Sequence, residues 1–405
     1  MTSFDTSPTL LAWRALLAVA VVFVMLATTG WTALRDHRPD EPREIALASW
    51  TAARMAGHAV PDADAGPGRL SRYFAALTQA QRDRLADRYP LVVGNLDGAP
   101  VTLRYRANRV ALRQALAVER ARTRNADLSP AGRGEARMRL ERFTSLLAAD
   151  RQILAFDPSG KGRAAEVFGD LDRADRVSVL VPGVDTGLLT LERTTREYSA
   201  PVGMARSLYG AERAADPGAR TAVVAWADYT APAGLGMDAA LGGLAAQGAV
   251  RLDAFVSSLP GASEVSLFCH SYGSVVCGVA AHELPSRVSD IAVAGSPGMR
   301  AASAARLGTD ARVWATRDRG DWIADVPHLE FGGLGHGADP VDPAFGARIV
   351  SAGDALGHSG YFVPGTESLR NFAAIGVGAY DAVNCAGAGS ACNGGISGGE
   401  EVRRA

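Results

Sequence analysis

From about residue 151 the chain repeats one pattern: a short run of apolar, β-branched residues, a loop or helical stretch, then another such run. The runs fall at 152–156, 165–168, 177–181, 221–226, 265–269, 291–294, 313–315 and 348–352. The first two are separated only by the turn DPSGKG and read as an opening hairpin. The later ones alternate with helical stretches, which predicts a mostly parallel sheet covered by helices on both faces. In such a sheet ligands bind beyond the carboxyl ends of the strands, so the chemistry is expected directly after these runs.

The run VSLFC is followed by His270, Ser271, Tyr272, Gly273 and Ser274, and then by the helix-compatible VVCGVAAHEL. A strand, a sharp turn bearing Ser and a helix form the setting of a nucleophile elbow. The tight turn needs small residues two before and two after Ser271; Gly273 satisfies this, whereas Cys269 stands where Gly is usual. The run VSVLV ends in the Gly-rich turn at 182–187, where the Val184 N–H, paired with the Tyr272 N–H, is expected to form an oxyanion hole. The base should come last in chain order. His358, after the final run and before ESLRNFAAIGVGAYDAV, is preferred; His336 is expected to line the pocket or face solvent, and His328 is more remote. His270 should point away from the Ser271 hydroxyl, His282 reads as a helix-surface residue and His58 as a surface or core-edge one. For the acid, Asp321 is preferred because Gly320 permits a turn that directs its carboxylate inward. Asp318, flanked by Arg317 and Arg319, is expected to pair with them, and Asp325 is third.

With VPGVDTG, CHSYGS, the GDW segment, GADPVDPAFGAR, GHSGYF and LVVGNLDG all present, the chain resembles an actinobacterial α/β-hydrolase family catalogued as a domain of unknown function. The resemblance covers roughly residues 70–380 and departs at Cys269. It implies an α/β-hydrolase fold with Ser271, Asp321 and His358 as the triad, and it implies no particular substrate.

Ahead of the sheet, residues 45–150 read as helical. Thr78 and Gln81 make a capping-box pair before a helix ending near Tyr89 and Pro90; Ser129 and Pro130 open another whose Leu140, Phe143 and Leu147 share a face. Residues 15–31, ALLAVAVVFVMLATTGW, carry no charge and are at the short end of the roughly 20 residues that span a bilayer. An uncleaved anchor is preferred over a cleaved signal peptide, because the preceding stretch is long and weakly basic. Arg35, Arg38 and Arg43 after the segment favour a cytoplasmic C-terminal side under the positive-inside rule. Cys385 and Cys392, in the Gly-rich tail, point the other way if they close a short disulfide. The expectation is a single-pass membrane protein with its catalytic part outside the cytoplasm. Cys269 and Cys277 read as small buried thiols.

The chain therefore divides, on sequence, into an anchor and linker (1–44), a helical accessory region (45–150), a catalytic α/β-hydrolase domain (151–380) and a tail (381–405). The 42 Lys and Arg balance 43 Asp and Glu, which gives no electrostatic reason to expect a nucleic-acid partner. The expected function is a membrane-anchored serine hydrolase acting on a small-molecule carboxylic ester or related acyl compound, with no cofactor and no metal. A hydrolase-fold scaffold without turnover and an acyltransferase are the alternatives; the former is disfavoured by intact Ser, Asp and His candidates in the expected order.

Overall fold

The computed structural model describes residues 42–55, 57–387 and 392–395. Six helices precede the sheet: α1 (Pro42–Thr51), α2 (Pro67–Ala75), α3 (Gln79–Arg88), α4 (Pro90–Val93), α5 (Val101–Arg124) and α6 (Pro130–Leu146). Thr78 and Gln81 exchange the two hydrogen bonds of a capping box at the start of α3, and the Ser129 hydroxyl accepts the Gly132 N–H at the start of α6. On α6 the buried face is Ala136, Arg139, Phe143 and Leu146 rather than one through Leu147, because the last turn packs Leu146 inward. Trp50, Leu70, Phe74, Leu85 and Val92 bring α1–α4 together in a core of their own. Helix α5 adds Leu103 and Ala107 to that core and, with α6, also joins the core of the sheet, where Leu112, Phe143 and Leu146 meet Ile153 and Phe156.

The eight strands are β1 (Gln152–Asp157), β2 (Arg163–Gly169), β3 (Arg176–Val181), β4 (Thr221–Ala227), β5 (Glu264–His270), β6 (Val288–Ala294), β7 (Arg312–Thr316) and β8 (Arg348–Ile349). Their order is β1-β2-β4-β3-β5-β6-β7-β8; β1 and β2 are antiparallel to their neighbours and all later pairs are parallel. β8 stops short of the run that marks it, because Ser351 turns away to bond the Asn384 carbonyl.

Alternation along the strands explains the layers. Between β4 and β5 lie the single turn α8 (Met237–Ala240) and α9 (Gly243–Ser258); in β4, Ala222, Val224 and Trp226 face α9 and α10 (Gly273–Ala280), packing with Leu252, Phe255 and Val276. Val223, Ala225 and Ala227 face the opposite way, toward Val202 and Leu208 of α7 (Pro201–Ala215) and Phe372 and Ile375 of α11 (Glu367–Val377). A strand buried on both faces has no polar side to show, which is why these runs are continuously apolar. One exception is Glu212 of α7, fully buried and accepting the hydroxyls of Ser178 and Thr221. Its carboxyl is pushed up to about 7 by burial, against which the two hydroxyls pull.

Two disulfides are present, Cys269–Cys277 and Cys385–Cys392. The first corrects the reading of Cys269 and Cys277 as separate thiols: the end of β5 and the first turns of α10 lie 6.5 Å apart between Cα atoms, within bonding range. The second lies in a segment that packs on the sheet edge, where Val350 bridges Cys385 and Arg348 donates to the Cys392 carbonyl at 2.6 Å.

The expected membrane anchoring is corrected. Among the described residues no helix is long and apolar enough to cross a membrane. The longest helix just described, α5, carries seven arginines in its 24 residues, and Arg104 is buried by bonding main-chain carbonyls and Asp97 rather than facing lipid. The segment at 15–31 lies outside the described residues. The single-pass topology, the membrane partner and the extracytoplasmic placement that depended on that anchor fall with it.

Candidate active site

Ser271 occupies the bend between β5 and α10 with φ 54°, a left-handed conformation that a non-glycine residue adopts only when its surroundings hold it there. Its N–H donates to the Ala294 carbonyl at 3.0 Å, and Gly273 lets the bend close, since a Cβ there would sit 2.2 Å from the Val181 oxygen. Ser271 is thereby fixed at the carboxyl end of the central strand.

His358 lies in a short 3-10 turn (Gly357–Ser359) after β8. Its Nε2 is 2.8 Å from Ser271 Oγ, and its Nδ1 is 2.8 Å from Asp321 Oδ1 and 3.1 Å from Oδ2. With the proton on Nδ1 donated to the carboxylate, Nε2 is left to accept the serine hydroxyl. Asp321 follows β7 and is buried. Burial alone would raise its carboxyl; bonds from His358, the Tyr361 hydroxyl and the Ile323 N–H outweigh that and hold it below the ordinary carboxylate range.

The turn after β3 comes directly against the nucleophile: a Cβ on Gly183 would meet Ser271 Cβ at 2.7 Å. The turn is held by the Tyr229 hydroxyl donating to the Pro182 carbonyl at 2.6 Å and by the Asp185 N–H donating to the Pro232 carbonyl at 2.8 Å. Among the described residues no carbonyl or side chain accepts the N–H of Val184 or of Tyr272, so both stay available.

The other sequence candidates are elsewhere. Asp318 does not pair with its flanking arginines: its carboxylate accepts the Gly320 and Gly357 N–H groups, while Arg317 bonds Asp339. Asp325 is exposed. His336 is buried, with Nε2 2.6 Å from the Ala239 carbonyl and its ring edge-on to Tyr272; His328 lies 3.3 Å from the Ser296 carbonyl. His282 and His58 are on the surface.

Two residues at the site, Tyr361 and Gly295, and one contact of His270 escape sequence reasoning. His270 does point away from the hydroxyl, and its Nε2 meets the main-chain oxygen of His358 at 2.6 Å. Tyr361 stands in the run GHSGYF, but nothing in its spacing tells that its hydroxyl reaches back to Asp321. Gly295 follows β6 with φ 56°, and a Cβ there would be 2.8 Å from Asp321 Oδ2 and 3.0 Å from His358 Nδ1; a glycine directly after a strand run was its only signal. Among the described residues no group of three or more His, Cys, Asp or Glu could hold a metal ion.

A family profile described as alpha/beta hydrolase matches residues 157–331, which include Ser271 and Asp321. An uncharacterized protein of Mycobacterium bovis is 33% identical over 223 residues, covering 53% of this chain and 80% of that protein. The chain belongs to the α/β-hydrolase family. The chain is also 28% identical over 382 residues to an uncharacterized protein of Mycobacterium tuberculosis, covering 80% of this chain and 57% of that relative; it thus spans little more than half the relative's length. Among solved structures it is similar to a dienelactone hydrolase from Anabaena variabilis at TM-score 0.35 and 15% identity, over 55% of this chain and 93% of the other. What these comparisons establish is an α/β-hydrolase-fold protein with mycobacterial relatives.

Proposed function

We propose that the chain is a serine hydrolase that cleaves a carboxylic ester or related acyl compound through Ser271, His358 and Asp321. The observation that carries this reading is the unbroken line of contacts from Ser271 Oγ through both ring nitrogens of His358 to the buried carboxylate of Asp321. Such a line lets the imidazole take the serine proton while the carboxylate fixes its tautomer and stabilises the imidazolium. Ser271 Oγ attacks the acyl carbon, and the oxyanion is received by the Val184 and Tyr272 N–H groups, each such donor being worth ~100-fold or more in rate. His358 then gives its proton to the leaving oxygen, and the acyl group stays on Ser271. A water deprotonated by His358 releases the acid. Membrane attachment is no part of this reading.

A fluorophosphonate probe tests it. Labelling of the wild-type chain on Ser271, lost in Ser271→Ala with unchanged circular dichroism, is expected. Undiminished labelling of that variant defeats the assignment.

A further inference from the structure

Exposed apolar side chains concentrate around the site. Of the thirteen large apolar residues exposed among the described residues, eight lie within 235–241, 322–334 and 356, which together hold only 21 positions. The three stretches are each joined to a different part of the machinery. Leu235 sits on the loop after β4, which is bonded to the turn of Val184: the Gly234 N–H donates to Asp185 Oδ1 at 2.8 Å. Leu241 gives its carbonyl to the Tyr272 hydroxyl at 3.1 Å, beside the nucleophile, and bridges Leu334 of the hairpin formed by Glu330–Phe331 and Leu334–Gly335. Phe331 on that hairpin is 83% exposed. Trp322 lays its ring 4.6 Å from that of His358, and Leu356, 85% exposed, stands two residues before the base. Of the charged groups within these stretches, Glu330 is paired with Arg300, while Asp238 and Asp325 are exposed.

Side chains of this size are normally left in water singly; a concentration of them marks a surface that meets something apolar. Here the oxyanion turn, the elbow and the base each bring one, so whatever they meet is in reach of the acyl carbon. We propose that the substrate carries a long aliphatic chain, of about eight carbons or more, which lies against Leu235, Leu241, Phe331, Leu334, Trp322 and Leu356. This rests on the serine hydrolase reading above. Each methylene taken out of water contributes a factor of about four to kcat/KM, so selectivity rises with chain length until the rim is covered.

The test uses the full chain with p-nitrophenyl acetate and p-nitrophenyl octanoate, kept below micelle-forming concentration. A variant combining Leu235→Ser, Phe331→Ser and Leu356→Ser, none of them in the catalytic machinery, is compared. In the wild type, kcat/KM for octanoate is expected to exceed that for acetate at least tenfold. In the variant that advantage is lost, chiefly through KM, while acetate hydrolysis and fluorophosphonate labelling of Ser271 stay unchanged. Labelling with no preference for octanoate, or a preference that survives in the variant, overturns the aliphatic-chain inference alone. No labelling and no hydrolysis of either ester overturns the hydrolase reading beneath it.

Discussion

The ring of His270 and the main-chain oxygen of His358 meet at 2.6 Å, so the residue before the nucleophile holds the turn that carries the base. The contact needs a proton on Nε2, which the neutral ring supplies as its Nε2–H tautomer. Burial, followed by the nearby His358, pushes His270 down to about 4, so it is neutral at pH 7.

His270→Leu should therefore lower kcat by about 10- to 100-fold with little change in KM, because the base loses its placement and not its chemistry. His270→Gln, whose amide N–H reaches a similar point, should restore most of the loss. Steady-state kinetics on the two variants decide it; equal losses in both would mean that the ring only fills space.

For the acid, Asp321→Asn is expected to lower kcat by about 10³- to 10⁴-fold, since the imidazole would lose the carboxylate that sets its tautomer. Asp318→Asn should cost far less, because that carboxylate accepts only main-chain N–H groups of Gly320 and Gly357. Comparing kcat for the two variants is enough, and a greater loss at Asp318 would move the assignment.

Gly295→Ala tests the close approach of β6 to the Asp–His pair. The added methyl would press on Asp321 Oδ2 and His358 Nδ1 from backbone already at φ 56°, so kcat should drop by about 100-fold or more. Retained labelling by the probe at the wild-type rate would show that the strand end yields instead.

Stability should depend on pH through two buried groups of opposite sign. Glu212, raised from 4.5 to about 7, holds its proton in the folded state where the unfolded chain has lost it, so its contribution is lost as pH rises from about 4.5 to 7. His270, lowered from 6.5 to about 4, does the reverse: stability is lost as pH falls from about 6.5 to 4. Between about 4.5 and 6.5 the two oppose each other. Denaturation midpoints for Glu212→Gln should show stability gained over wild type as pH rises to 7, at up to about 1.4 kcal/mol for each pH unit. A difference that does not vary with pH would show that Glu212 is ionised throughout.

What could be read from the sequence was whatever depends on local pattern. Seven of the eight apolar runs fall on strands of the sheet, because burial on both faces leaves a continuous signal, and the last meets the half-buried edge strand β8 only at Arg348 and Ile349. The Ser271 bend was readable for the same reason: strand, small residues and helix are contiguous. Preferring Asp321 over Asp318 rested on Gly320, and the structure turns the chain there so that Asp321 alone faces the imidazole. Contacts between distant segments were not readable. Tyr361 and Gly295 meet Asp321 from 40 and 26 positions away, and no spacing rule connects them. The Cys269–Cys277 bond escaped because a strand end and a helix turn eight residues apart come together only once the elbow is folded.

That bond also bears on how sequences of this kind can drift. Cys269 fills the place where the bend favours glycine, and it does so with its sulfur committed to Cys277 in the helix behind the nucleophile. Replacing either cysteine alone leaves the other as an unpaired thiol in the tightest part of the molecule, while replacing both by small apolar residues restores an ordinary elbow. A change at either position thus bears on the other, and with glycine at the first the second has no bond for a cysteine to make.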